Sequence, residues 1–161
     1  MQIVPLQREH YPAVSAIYEA GIASGIATFE TEIPNWDTCN RKFLPHCRFV
    51  ASEGDSVVAW CALSAVSKRQ VYAGVAEDTI YVHPDHHGKG IGEVLLSYLV
   101  AESEKAGFWT LQAGIFTENV ASIRLHEKCG FRILGIREKI AQRDGKWHDN
   151  VIMERRSKSI F

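Results

Sequence analysis

Apolar residues alternate with polar ones in some stretches of the chain and recur every three or four positions in others. The changes of period divide it into elements. Residues 2–6 alternate and read as a strand. Over residues 10–23, Val14, Ile17, Tyr18, Gly21 and Ile22 keep helical spacing, and Gly25 is suited to stop that helix. Residues 26–34 mix polar and apolar positions, close on Pro34 and predict an irregular or extended loop. Asp37 can cap a short helix running through Leu44. Residues 48–52 and 57–65 predict two paired strands, with Glu53-Gly54-Asp55 as their turn. After the basic connection Lys68-Arg69-Gln70, residues 71–82 predict a strand interrupted near Gly74. A helix from Gly90 to Lys105, ended by Gly107, carries Val94, Leu95, Leu96 and Leu99 on one face. Residues 108–116 predict a strand apolar enough to be buried on both faces. Residues 119–129 predict a helix that Gly130 stops, and residues 131–143 and 147–155 predict a closing hairpin turned at Asp144-Gly145. The order βαα-βββ-αβαββ predicts one α/β domain over residues 1–161 with a mixed sheet.

Composition narrows the function classes. At 161 residues, 46% hydrophobic and 23% charged, the chain suits one globular domain with a real core. A net charge of −1 gives no electrostatic reason to expect nucleic acid or an anionic membrane as partner. No apolar run approaches the roughly 20 residues of a membrane span, and the first residues do not read as a signal peptide. Cys39, Cys47, Cys61 and Cys129 are scattered without a C-x-x-C pair, so reduced thiols in a cytoplasmic protein are expected. His83, His86 and His87 crowd one proline-containing turn, but no cysteine or carboxylate stands at zinc-site spacing, and no metal is expected.

The most informative stretch is E-D-T-I-Y-V-H-P-D-H-H-G-K-G-I-G-E-V-L-L, residues 77–96. It is a strand, a glycine turn and the opening of a helix. Amides at such a helix start have no intrahelical partner, and the helix dipole adds partial positive charge there, which suits a phosphate or pyrophosphate. A glycine turn that binds nothing carries the same signature. The spacing is neither that of the P-loop, because Gly90 follows Lys89, nor the G-x-G-x-x-G of the Rossmann fingerprint.

At His87-Gly88-Lys89-Gly90-Ile91-Gly92 the chain resembles the GNAT family of acetyl-CoA-dependent N-acetyltransferases, whose motif is [Q/R]-x-x-G-x-[G/A]. His87 departs from it, standing where the family has Arg or Gln. Asn119 and R-L-H-E-K-C-G-F at residues 124–131 resemble a second family segment. Within the family, T-F-E at 28–30, V-A-E-D-T-I-Y-V at 75–82 and D-G-K-W-H-D at 144–149 are most similar to the phosphinothricin and methionine sulfoximine acetyltransferases. The resemblance implies a mostly antiparallel sheet flanked by helices, with two central parallel strands splayed to admit CoA. It also implies a small-molecule amine as acceptor and a homodimer.

The same resemblance implies the site. Glu77 is the expected general base, since an amine attacks a thioester only as the free base. His126 stands where many relatives carry a Tyr that protonates the leaving thiolate, and a packed helix histidine is the alternative. A main-chain amide near Tyr81 or Val82 is expected to meet the oxyanion, and Val82 to pair with the pantetheine. His87, Gly88, Lys89, Gly90, Ile91 and Gly92 would cradle the pyrophosphate. Asn119 and Ser122 would reach the pantetheine or adenylate, and Lys128 a ribose phosphate. For an amino-acid acceptor Arg69 is the expected carboxylate partner, with Phe29, Glu30 and Tyr72 as pocket walls. Two alternatives stay open: an N-acetyltransferase for a polyamine, aminoglycoside or peptide N-terminus, and a non-catalytic acyl-CoA sensor.

Overall fold

Seven strands and four helices alternate along the computed structural model of residues 1–161. They are β1 (Gln2–Pro5), α1 (Tyr11–Ser24), α2 (Trp36–Lys42), β2 (Phe49–Glu53), β3 (Ser56–Ala65), β4 (Val75–Val82), α3 (Ile91–Lys105), β5 (Thr110–Phe116), α4 (Val120–Lys128), β6 (Arg132–Arg143) and β7 (Lys146–Arg156). The strands form one sheet in the order β1-β2-β3-β4-β5-β7-β6, so β6 is a free edge. Every neighbouring pair is antiparallel except β4 and β5. That parallel pair holds at only three positions, Val75↔Thr110, Ala76↔Leu111 and Glu77↔Gln112, after which the strands part.

Strand β3 shows why helices cover both faces. Its run V-V-A-W-C-A-L is apolar throughout, so both faces must be buried. Ala59, Cys61 and Leu63 pack into a core with Leu95, Leu96 and Leu99 of α3. Trp60 and Ala62 pack the other way, against Val14, Ile17 and Tyr18 of α1.

Three boundaries and one burial pattern differ from expectation, each for a local reason. Residues 71–74 are not strand: Gln70–Tyr72 is a single 3-10 turn, and the Gly74 carbonyl accepts the amides of both Trp109 and Thr110, so β4 starts at Val75. Helix α2 is capped by Asn35, whose Oδ1 accepts from Thr38 N at 2.9 Å, rather than by Asp37; it ends at Lys42, before Leu44. Helix α3 begins at Ile91, because Gly90 sits in the left-handed region as its cap. Strand β5 buries its second face only in part: Leu111, Ala113 and Ile115 face the core, while on the other side Gly114 is exposed and Phe116 is buried.

The sheet face under α1 carries an aromatic stack. Tyr81, Tyr18 and Trp60 form a mutual cluster, with Tyr81 5.1 Å from Tyr18 and 5.2 Å from Trp60 between centroids and the other two rings 5.7 Å apart. Gly21 of α1 abuts that stack: a Cβ there would stand 2.6 Å from the Tyr81 ring. Glycine to alanine in a helix interior ordinarily stabilises by about 1 kcal/mol. Here the sign should reverse. Gly21→Ala is expected to cost about 1–3 kcal/mol through overpacking and to lower the thermal midpoint by several degrees, read by calorimetry; an unchanged or higher midpoint would show that the ring yields freely.

Candidate active site

A cleft of about 410 Å³ opens where β4 and β5 separate. Its walls include Glu77–Tyr81 of β4, from the last shared pair onward, and Ala113–Phe116 of β5, which follow that pair. Residues 27–30 of the loop after α1 close one side, and Arg137, Ile140 and Ala141 of β6 another. The register of β6 slips between Arg137 and Ala141, with Lys139 at positive φ and its amide donating to Asp149 Oδ1 at 2.8 Å. Such a bulge bends the strand, and Arg137, Ile140 and Ala141 at it line the cleft.

Glu77 is half-buried at the last residue that β4 shares with β5. Burial pushes its carboxyl above the usual carboxylate range and the neighbouring Asp78 charge adds to this, while a hydrogen bond from Gln112 and the charges of Arg137 and Lys42 pull part of the way back. A carboxylate so placed is a stronger base than one in water.

Asp78 points to the opposite face, as strand alternation requires. Its Oδ1 accepts from His126 Nε2 at 3.0 Å, with both side chains 2% exposed. The other ring nitrogen, Nδ1, meets the Ser122 carbonyl at 2.8 Å. Facing a carboxylate and a carbonyl, both ring nitrogens are placed to donate, the arrangement that favours an imidazolium, with the Ser122 hydroxyl 3.5 Å from Nδ1. Burial alone would push its pKa down, but the Asp78 charge, the Asp78 hydrogen bond and the Ser122 carbonyl outweigh it, and the net shift is upward. Asp78 Oδ2 is buried without a hydrogen-bond partner.

The open edge of β4 carries usable amides. His83 N donates to Val58 O of β3 at 2.8 Å. Strand backbone groups alternate sides, so Val82 and Ile80 turn their N–H and C=O towards the edge that β5 has left, and Tyr81 turns back to β3. His87 Nε2 donates to the Val82 carbonyl at 2.9 Å, which leaves the Val82 amide free. The ring at the departing motif position thus ties the glycine turn to the strand end.

Gly88 and Gly90 hold φ values of 75° and 76°, which side-chain-bearing residues rarely adopt. Gly92 does a different job, since a Cβ there would lie 3.2 Å from Leu125 of α4. Helix α3 has no side-chain cap, so its first amides stay free beside exposed Lys89. Lys128 lies near, 3.5 Å from Glu93 in the first turn of α3.

The remaining expected residues fall into two groups. Phe29, Glu30, Tyr81, Asn119, Ser122 and His126 line the cleft with Glu77. Phe29 packs on Phe116 at 4.4 Å. Asn119 caps α4 by accepting from Ser122 N at 3.3 Å. Arg69 and Tyr72 stand outside the cleft lining, stacked on each other at 5.4 Å on the exposed turn before β4. The crowded histidines turn to separate partners: His83 accepts from Asp85 N, His86 lies 3.2 Å from Glu53, and His87 meets Val82.

Comparison with known proteins decides the family. The model of the acetyltransferase (GNAT) family matches residues 15–131. The chain belongs to the GNAT family of acetyltransferases.

It is 32% identical to a phosphinothricin N-acetyltransferase of Alcaligenes faecalis, over 89% of this chain and 76% of that one. It is 32% identical to an L-methionine sulfoximine/L-methionine sulfone acetyltransferase of Salmonella typhimurium, over 71% and 67%. Its fold matches the crystal structure of a phosphinothricin acetyltransferase from Sinorhizobium meliloti in complex with acetyl-CoA, with a TM-score of 0.86, 25% identity, and coverage of 99% and 95%. The parallel, parted central strands and the flanking helices are those of a GNAT domain, and the chain is an acyltransferase.

Sequence reading missed two groups that shape this GNAT cleft. Asp78 left a signal: a carboxylate on the core-facing side of a strand must have a buried partner. Arg143 left none. Its guanidinium donates to the Thr28 carbonyl at 3.0 Å and to the Ile22 carbonyl, pinning the loop that carries Phe29 and Glu30 across more than a hundred residues of chain.

The buried pair should show in stability. Asp78→Asn is expected to cost about 3–5 kcal/mol at pH 6 by leaving the imidazolium unpaired. A histidine whose folded pKa is raised stabilises fully below its unfolded value of about 6.5, and the contribution is lost as pH rises through the folded value. The wild-type urea midpoint should therefore fall with rising pH above neutrality more steeply than that of Asp78→Asn; parallel profiles would show that His126 is neutral.

Proposed function

We propose that this enzyme acetylates the primary amine of a small amino-acid analogue, of the phosphinothricin, methionine sulfoximine or methionine sulfone type. The observation that carries the reading is Glu77, a basic carboxylate at the point where the central strands part. Acetyl-CoA supplies the thioester carbonyl. Glu77 takes the proton of the incoming amine, and the new C–N bond leaves negative charge on the carbonyl oxygen. The free Val82 amide is the donor for that oxyanion. The amides of Gly88, Lys89, Gly90, Ile91 and Gly92 serve the pyrophosphate, with Lys89 and Lys128 as nearby cations. Ile80 offers the strand edge along which the pantetheine pairs, and Asn119 and Ser122 line its path. His126 has both N–H groups engaged, so it acts as a fixed cation beside the thiolate, whose proton comes from water. Residues 1–161 act as one catalytic domain, and four free cysteines fit a reducing cytoplasm.

The free edge supports a homodimer. Ile133, Leu134, Ile136 and Ile140 of β6 and Trp147 of β7 are each 46–63% exposed. An apolar patch of this kind on an unpaired edge strand calls for a partner. A second copy would lie beside the bulge that borders the cleft. Ile136→Lys should shift the sedimenting species from dimer to monomer; a monomeric wild type would remove the dimer.

The activity is tested by thiol release from acetyl-CoA with methionine sulfone, methionine sulfoximine, phosphinothricin, spermidine and an aminoglycoside. Release with the first three supports the reading; release with the cationic acceptors alone overturns it. Glu77→Gln should lower kcat/KM by about 10²–10⁴-fold and leave acetyl-CoA affinity within about twofold. Glu77 works only when ionised, so wild-type kcat/KM should fall as pH drops through its raised pKa, and this limb should be absent in Glu77→Gln. A retained limb would assign the base elsewhere.

A further inference from the structure

We infer that Arg137 and Asn150, paired on adjacent strands, form the subsite for the zwitterionic head group of the acceptor, with Arg137 binding its carboxylate. The inference rests on the amino-acid reading above. Three residues lie in one row across the sheet: Phe116 of β5 pairs with Asn150 of β7, and Asn150 with Arg137 of β6. All three line the cleft.

Arg137 is exposed with its guanidinium open to a ligand, and Asn150 is buried with an unmet acceptor. Neighbouring arginines of the hairpin are engaged: Arg132 with Glu154, Arg143 with Asp144, Arg155 with Glu104. Arg137 takes part in none of the molecule's ion pairs. Lys42, the other cation of the cleft, lies 4.0 Å from Glu30 and is partly answered by it. Asn150 is 7% exposed, and its Oδ1 is buried without a partner. Its amide lies across Gly114, where a Cβ would come within 3.0 Å of Nδ2, so glycine makes the room it occupies. A guanidinium fork donates to a carboxylate, and a free amide oxygen needs a donor. An α-amino acid meets both demands with groups two bonds apart, and a simple amine meets only one.

The spacing fits. Gln112 and Phe116 are four residues apart, about 13 Å along a strand, and mark the Glu77 row and the Arg137 row. Two long side chains reach into that span from its ends, and the Arg137 charge already acts on Glu77. Arg69, by contrast, is outside the lining and stacked on Tyr72.

The test compares L-methionine sulfone with its methyl ester, which keeps the amine and removes the negative charge. Wild type should favour the acid. Arg137→Gln should raise KM for the acid by at least about tenfold, the loss of one charge-assisted contact. At a pH where Glu77 is fully ionised it should leave kcat within about twofold and change KM for the ester far less than KM for the acid, and Arg137→Lys should recover part of the loss. An acid preference that survives in Arg137→Gln, or is lost only in Arg69→Gln, overturns the subsite while the amino-acid reading stands. Equal loss with acid and ester overturns it too, because the residue would then serve folding or chemistry. A wild type that does not favour the acid overturns the amino-acid reading and the subsite together.

Discussion

Two strands that begin as neighbours and then separate set the terms for the rest of the molecule. After Glu77 and Gln112 the edges of β4 and β5 lose each other, and backbone groups inside a domain cannot be left without partners at no cost. One carbonyl so exposed, that of Val82, is met by the His87 ring. The amides of the same edge stay open for a ligand. The cleft, the free strand edge and the tether from the glycine turn are three results of one interruption in a ladder.

Charge is arranged around that interruption by opposite means on its two sides. Successive residues of a strand face opposite ways, so Glu77 and Asp78 meet different surroundings. Asp78 is matched by an imidazolium and buried. Glu77 has only an amide hydrogen bond and more distant cations, and keeps an elevated affinity for protons. The matched pair also fastens α4 to β4, which places Asn119 and Ser122 along the cleft wall.

The sequence made the element order legible because period and punctuation agreed: glycine at 25, 90, 107 and 130 stands at helix ends, and Asp144-Gly145 at the hairpin. It was less informative where a distant contact decides. Residues 71–74 look strand-like, yet the Gly74 carbonyl is taken by two amides from the start of β5. Gly114 reads as one more small residue in an apolar run, and only the fold shows that Asn150 lies over it. For the site, Glu77 and the glycine turn were readable since they are contiguous, and the parted strands set them together. The cation facing the cleft was not. Arg69 is close to Glu77 in the chain, whereas Arg137 is close through β6 and a bulge that no local pattern announces.

Arg143 gives the two halves of the cleft different histories. The strand edge and the glycine turn come from residues 75–92, a short stretch that can take shape as soon as it meets β3. The wall bearing Phe29 and Glu30 is held by a side chain 115 and 121 residues further on. Closing so long a loop costs more entropy than closing a short one, and contacts of that span slow folding. During synthesis the chain therefore owns the glycine-turn side well before it owns the opposite wall, and the last hairpin to emerge is the piece that turns a groove into an enclosed site.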